Sequence, residues 1–446
     1  MKKINTAKII FTALLVFSLN SCQTDSENIN EANENSVFTT KQGIIEATTG
    51  LKQLYSTSGI RLLIETPAIT TREAASATPA VAIADLEQGG SGLQDTSPNI
   101  EGLWGTMLRV IKNSNEVITA CNSVPLEVGT KSGLIAYAKI YKAMSIGVLS
   151  QNFEKVIIEP NKNNEAQFVT RQEGYLYAIQ LLNEAKSDVL ANPVSAEITI
   201  LYNSEVNLNN TINALIARYS LFAGNYTDAI NVANLVSLTT KSVFKYDGVR
   251  NPNPIFTRMV QQTNNSKPIA DFGLPTAIFT VAATDGRRAF YLGASSGNSL
   301  GGGSFPFRNL TGFFTTATSD IPVYLVDEMK LIKAEAHIRK ATPDIAAATL
   351  ELNSVLTTTD VFGVNANLPV YSGPNTASDL LLEIYKNRRV ELFFTGMSLE
   401  DSRRFGRPQP TQNSTNNFTD ERNRNFYPYP ISERNNNPNT PVNPTI

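Results

Sequence analysis

The 446-residue sequence predicts a mainly α-helical protein, a scaffold of helical hairpins that carries one long, irregular, loop-rich face. Three features predict it. Apolar residues recur at three-to-four-residue spacing in run after run. Residues that start and stop helices bracket those runs. One stretch, 238–320, keeps no period and is dominated by Gly, Pro, Asn, Thr and Phe. An irregular stretch of that length usually carries function.

The elements follow in order. Ile44, Ala47, Leu51, Leu54, Tyr55 and Leu62 mark one face of a first helix between 41 and 64. Ser97-Pro98 reads as an N-cap followed by proline at the first helical position. Behind it Leu103, Met107, Val110, Ile111, Ser114, Val117, Ile118 and Cys121 hold the helical spacing, and Cys121 reads as a small core residue. A third helix over 131–150 rests on Leu134, Ala138, Tyr141, Ser145, Val148 and Leu149, with Lys139 and Lys142 on a solvated face. Thr170 and Glu173 form a capping box that opens a helix on Leu176, Ile179, Leu182, Ala185 and Val189, closed by Asn192-Pro193. The run NALIARYSLFAGNYTDAINVANLVSL gives one helix ending at Gly224 and a second over 226–236. Ala217, Ala229 and Ala233 let these two approach closely, and the Gly-Asn-Tyr turn resembles one tetratricopeptide unit. After the irregular stretch, which admits a few short strands, helices return in VYLVDEMKLIKAEAHIRK, in IAAATLELNSVL after Thr342-Pro343, and from 379 to 394 before Gly396. The tail beyond Arg407 is rich in Pro and Asn and reads as ordered loop over the surface.

Composition excludes several functions. Lys and Arg number 38 against 40 Asp and Glu, a formal charge of −2, so a basic nucleic-acid binder working through counterion release is ruled out. One histidine, His337, and two cysteines, Cys22 and Cys121, cannot supply a His- or Cys-ligated zinc site. A Ser-His-Asp triad would need His337, which sits within a helical run and reads as a helix-face residue. Gly293, Ser295 and Gly297 match the nucleophile-elbow spacing, but a glycine run follows where a helix is required. Gly129-Thr-Lys131-Ser132 lacks the upstream glycine of a phosphate loop. No catalytic residue, metal ligand or cofactor site is assigned.

The N-terminal segment sets the compartment. Lys2, Lys3 and Lys8 precede IIFTALLVF over 9–17, which is too short to span a bilayer. Leu19-Asn20-Ser21-Cys22 follows directly and resembles a lipobox, so residues 1–21 read as a lipoprotein signal and Cys22 as the lipidated residue. Residues 22–40 are acidic and Asn-rich at first, a flexible tether, and 41–446 read as a single domain. The body would hang from a membrane by its lipid.

Six segments in fixed order then carry a resemblance. They are LWGTMLRVIKNSNEVI (103–118), AYAKIYKAMSIGVLSQNFEKVII (136–158), the Gly224-Asn-Tyr unit, VDEMKLIKAEAHIR (326–339), IYKNRRVELFFTGMSLEDSRRFG (384–406) and FYPYPISERNNNPN (426–439). Together they resemble the SusD/RagB family of outer-membrane nutrient-binding lipoproteins. Arg388, Glu391, Leu392, Gly396, Asp401, Arg404 and Gly406 match the family's C-terminal signature, whereas Asn387, Thr395 and Ser398 replace its usual Glu, Glu and Arg. That segment reads as a structural clasp, with Arg388 and Glu391 placed to pair along one helix face.

The resemblance implies a tetratricopeptide-like scaffold, a loop-rich ligand face, and a cap over a SusC-like TonB-dependent outer-membrane transporter. It implies capture of an oligosaccharide or peptide, with no chemistry and no cofactor, on the cell exterior. Candidate ligand residues are Arg72 and Glu73 after the first helix, Asp95 before the second, and Tyr291, Phe305 and Phe307 in the irregular stretch. Trp104, the one tryptophan, is a further candidate, although its place in a periodic helix favours packing. A surface-anchored hydrolase and a helical-repeat scaffold for proteins are the rival classes.

Overall fold

The computed structural model describes residues 37–78, 81–161, 163–261, 265–299, 304–411 and 420–446. The signal segment, Cys22, the tether up to 36 and the glycine run at 300–303 lie outside them.

Thr40 opens α1 (Lys41–Leu54), its hydroxyl accepting from Gly43 N at 3.1 Å. A π-helical turn, Tyr55–Gly59, joins α1 to α2 (Ile60–Thr70), so the first helix runs past its expected end. The strand β1 (Ala74–Ser76) and α3 (Val81–Gln88) follow. α4 (Pro98–Ser123) starts on its proline as read, but Ser97 makes no side-chain cap and its hydroxyl is buried without a partner. α5 is Val128–Asn152, and the strands β2 (Lys155–Ile157) and β3 (Phe168–Thr170) pair antiparallel before α6 (Arg171–Ala191). Both halves of the capping box form there: Thr170 accepts from Glu173 N, and Glu173 accepts from Thr170 N at 2.8 Å.

α7 (Leu208–Phe222) and α8 (Tyr226–Ala233) make the tetratricopeptide-like hairpin. Gly224 takes φ 82° in its turn, a conformation that costs other residues about 1 kcal/mol or more. Ala217, Ala229 and Ala233 are buried between the helices. Close approach also sets Gly147 of α5, where a Cβ would stand 2.3 Å from the Tyr219 hydroxyl of α7. Beyond the irregular stretch come α10 (Val326–Arg339), α11 (Ile345–Thr357), α12 (Ala377–Glu391), α13 (Ser398–Arg404) and α14 (Ile431–Asn436), with the two-residue strand β4 (Val243–Phe244) and α9 (Gly286–Tyr291) inside the stretch itself. Each of α4, α5, α6, α7, α8, α10 and α11 packs on the next in that order, a row in which the core passes from helix to helix.

Three readings are corrected by this packing. Lys142 faces no solvent: α5 lies between α4 and α6, and the lysine is buried against Glu159 and Tyr177. The tail lies over the surface only in part, since Arg422, Asn423, Tyr427 and Tyr429 are buried and carry 421–430 through the interior, while 431–446 is mostly exposed. Arg388 and Glu391 do not pair along α12. Arg388 reaches Asp401 of α13 at 2.9 Å, while Glu391 meets Arg287 of α9 at 3.3 Å, because α12 is covered on both sides.

The clasp itself is confirmed as buried structure. Asp401 also holds Arg404, and Arg404 shares Glu335 of α10 with Arg339. Asn387, where the family signature has an acid, accepts from Arg287 Nη2 at 2.9 Å, and Asp285 completes that guanidinium's partners. Among the described residues no helix is long and apolar enough to cross a membrane.

Candidate functional site

Part of the irregular stretch is drawn into a small strand layer that packs on α2 through β1. β1 pairs antiparallel with β5 (Ser266–Pro268), Ala75 opposite Lys267. A single bridge, Ile269 to Phe307, ties β5 to β7 (Pro306–Leu310), and β7 pairs with β6 (Leu292–Asn298) through two irregular steps. Such irregularities bend a strand pair and re-aim its side chains. Exposed described positions of this hairpin are Ala294, Ser295, Gly297, Asn298, Ser304, Pro306 and Asn309, so they offer small or polar groups and no charge. Phe290, Phe305 and Arg308 are half-buried at its margin.

The sequence candidates fall in two groups. Arg72, Glu73, Phe305 and Phe307 meet at the strand layer. α2 stops at Thr70, and Arg72 turns the chain into β1 with φ 63°. Its guanidinium is buried, donating to the carbonyls of Glu87 at 2.6 Å and Asp420 at 3.2 Å, and it lies 5.5 Å from the Phe305 ring centre. Burial lowers its pKa to about 10, against the pull of Glu87 and Asp420. Phe307 packs with Ala75 and Ile269 beneath the layer. Glu73 is 1% exposed, and its nearest cation, Arg389 Nε, stands 3.8 Å away. Burial pushes its carboxyl up to about 7, with Arg389 opposing. Tyr291 lies deeper, its hydroxyl donating to the Glu391 carbonyl at 2.9 Å among the rings of Phe290, Phe313 and Phe393.

Asp95 and Trp104 belong instead to the closing segment. Asp95 pairs with Arg434, and its carbonyl accepts from Ile431 N. Trp104 is 2% exposed, edge-on to Phe153 at 4.7 Å and stacked on Phe168 at 5.8 Å, with Nε1 donating to Glu433 at 3.0 Å. Its faces are covered, so it packs.

A second feature of this face escaped the sequence reading. The segment 246–258 lies along the π-helical turn between α1 and α2. Tyr246 donates to Ser56 O at 2.7 Å, Gln53 donates to Asn251 at 2.6 Å, and Arg258 Nε reaches Glu65 at 3.1 Å. Arg61 also meets Glu65, at 3.2 Å, and Ser266 of β5 donates to it at 2.8 Å. The available signal was one acid inside an apolar run, RLLIETPAI, since a charge within a helix's buried face needs a partner from elsewhere.

His337 is half-buried on α10, as read, and burial lowers its pKa, with Lys340 adding to the effect. Among the described residues no group of three His, Cys, Asp or Glu stands close enough to hold a metal. The arrangement suits recognition: a rigid row of helices supports loops that present hydroxyls, amides, guanidiniums and ring margins.

No protein-family model matches the sequence, and no curated protein does. Solved structures do match in fold. A SusD superfamily protein from Parabacteroides distasonis superposes with a TM-score of 0.68 at 16% identity, covering 91% of this chain and 99% of that one. A SusD-like carbohydrate binding protein from Bacteroides fragilis gives 0.68 at 13% identity, with the same coverage. A SusD superfamily protein from Bacteroides vulgatus gives 0.67 at 13%. The fold is therefore SusD-like from end to end of the compared chains.

Proposed function

We propose that this SusD-like chain is a cell-surface lipoprotein that captures an oligosaccharide, or failing that a peptide, and passes it unchanged to a TonB-dependent outer-membrane transporter. The observation that supports it most is the fold shared along 91% of the chain with a carbohydrate binding protein. Cys22 would carry the lipid, and the tether after it would hold the binding domain near its transporter at high local concentration.

The physical division of labour fits. Exposed loop positions can vary without disturbing the helical row that supports them. The expected results are binding of purified full chain to members of a glycan library with no turnover, and co-purification with a TonB-dependent transporter. Palmitate labelling should be lost in Cys22→Ser, and the wild-type chain should fractionate with the outer membrane. Turnover of glycan or peptide would replace this reading with that of an anchored hydrolase. A tight complex with some other protein, and no small ligand, would replace it with a protein-binding scaffold.

A further inference from the structure

Glu65 is a buried carboxylate, 0% exposed in its side chain, that draws two guanidiniums onto one spot. Arg61 arrives from the start of α2, just after the π-helical turn, and Arg258 from a second π-helical turn, Phe256–Gln261. Single π-helical turns recur at functional sites because they displace side chains from the regular helical pattern. Both guanidiniums stay partly open, with side chains 33% and 25% exposed. Arg258 spends its Nε on Glu65 and Arg61 one Nη. A guanidinium has five N–H donors, so most remain unspent among the described residues. Two positive charges face one negative charge, and burial together with the charge of Arg258 lowers the pKa of Arg61. The same seam offers the amides of Gln53 and Asn251 and the hydroxyl of Thr57, all at least partly exposed.

We propose that Arg61 and Arg258, seated on Glu65, bind the anionic group of an acidic saccharide, a sugar bearing a carboxylate or a sulfate. Planar guanidiniums match both groups with paired N–H donors. A neutral hydroxyl in the same place would leave the excess positive charge unanswered. The flanking Gln53, Thr57 and Asn251 suit sugar hydroxyls, which both donate and accept. This assignment rests on the nutrient-capture reading for its saccharide part, while the anion site stands on the arginine geometry alone.

Calorimetric titration of the full chain with glucuronic acid, glucose 6-sulfate, glucose and inorganic sulfate tests both parts. The acidic sugars should bind at least tenfold more tightly than glucose and weaken as NaCl rises. Arg258→Ala and Arg61→Ala should each cost at least tenfold, while Arg250→Ala on the neighbouring loop changes nothing. Because the alanine variants leave Glu65 with fewer partners, Arg258→Lys serves as a second probe that keeps charge but loses the fork. It should fold with an unchanged melting temperature and still lose affinity. Equal binding of acidic and neutral sugars, or acidic-sugar binding indifferent to the Arg61 and Arg258 variants, overturns the site and leaves nutrient capture standing. Sulfate binding that depends on the arginines, with no sugar bound at all, supports the anion site and overturns its saccharide assignment.

Discussion

Glu73 and Glu400 show how burial and neighbouring charge decide a carboxyl's behaviour. Glu73 has one distant cation, and burial raises it from 4.5 to about 7. Glu400 is equally buried, yet Arg171, Arg403 and Arg404 overcome the burial and hold it at about 2. The signs differ accordingly. A carboxyl whose folded pKa lies above its unfolded value contributes stability at low pH and loses it as pH rises from about 4.5 to 7. One held below contributes above about 4.5 and loses it as pH falls toward 2. Glu73→Gln mimics the protonated form, so its melting temperature should gain on wild type as pH rises from 5 to 8. A difference that stays flat across that range would sink the assignment. Asp401 gives the complementary case. It neutralises Arg388 and Arg404 inside the protein. Asp401→Ala should cost about 3–5 kcal/mol in urea unfolding, because it strands buried charge. A loss below about 1 kcal/mol would show that the arginines find water or other partners.

At the scale of elements, periodicity located most helices because an apolar stripe of 3.6-residue period has one good solution. The capping box at Thr170, the proline start at Pro98 and the turn at Gly224 were legible for local reasons, since their causes lie within four residues. The strand layer was not. β1 and β5 are three residues each and lie far apart in sequence, too short for a period to speak. α4 illustrates what an element does to a candidate residue. Trp104 lies on its buried stripe and is roofed by β3 and the closing segment. Trp104→Ala should destabilise by about 3–5 kcal/mol while leaving ligand affinity per folded molecule unchanged. A selective loss of affinity with stability intact would return Trp104 to the binding face.

For the molecule as a whole, the closing segment ties distant elements together. Tyr427 bonds Thr70 at the end of α2, Asn423 donates to the carbonyls of Leu86 and Glu87 in α3, and Glu433 accepts from Trp104 of α4. Tyr427 and Asn423 are buried, so 421–430 belongs to the core, while Glu433 ties the more exposed end to α4. Deleting 420–446 should therefore abolish the cooperative calorimetric transition. A truncated chain that still melts cooperatively within a few degrees of the full one would refute that role.

The sequence by itself determined the helical scaffold, the core face of most long helices and the place where regularity breaks, because these follow from spacing along a single chain. Its resemblance to the SusD/RagB family was readable from ordered local segments, and the SusD-like fold agrees. Only the tertiary structure decided which polar groups meet. Arg61, Glu65 and Arg258 are joined across nearly 200 residues of sequence, Arg388 chooses Asp401 over Glu391, and Arg72 is consumed by backbone carbonyls. A charge's partner is set by distance and burial in three dimensions, and neither is written in the spacing of one chain.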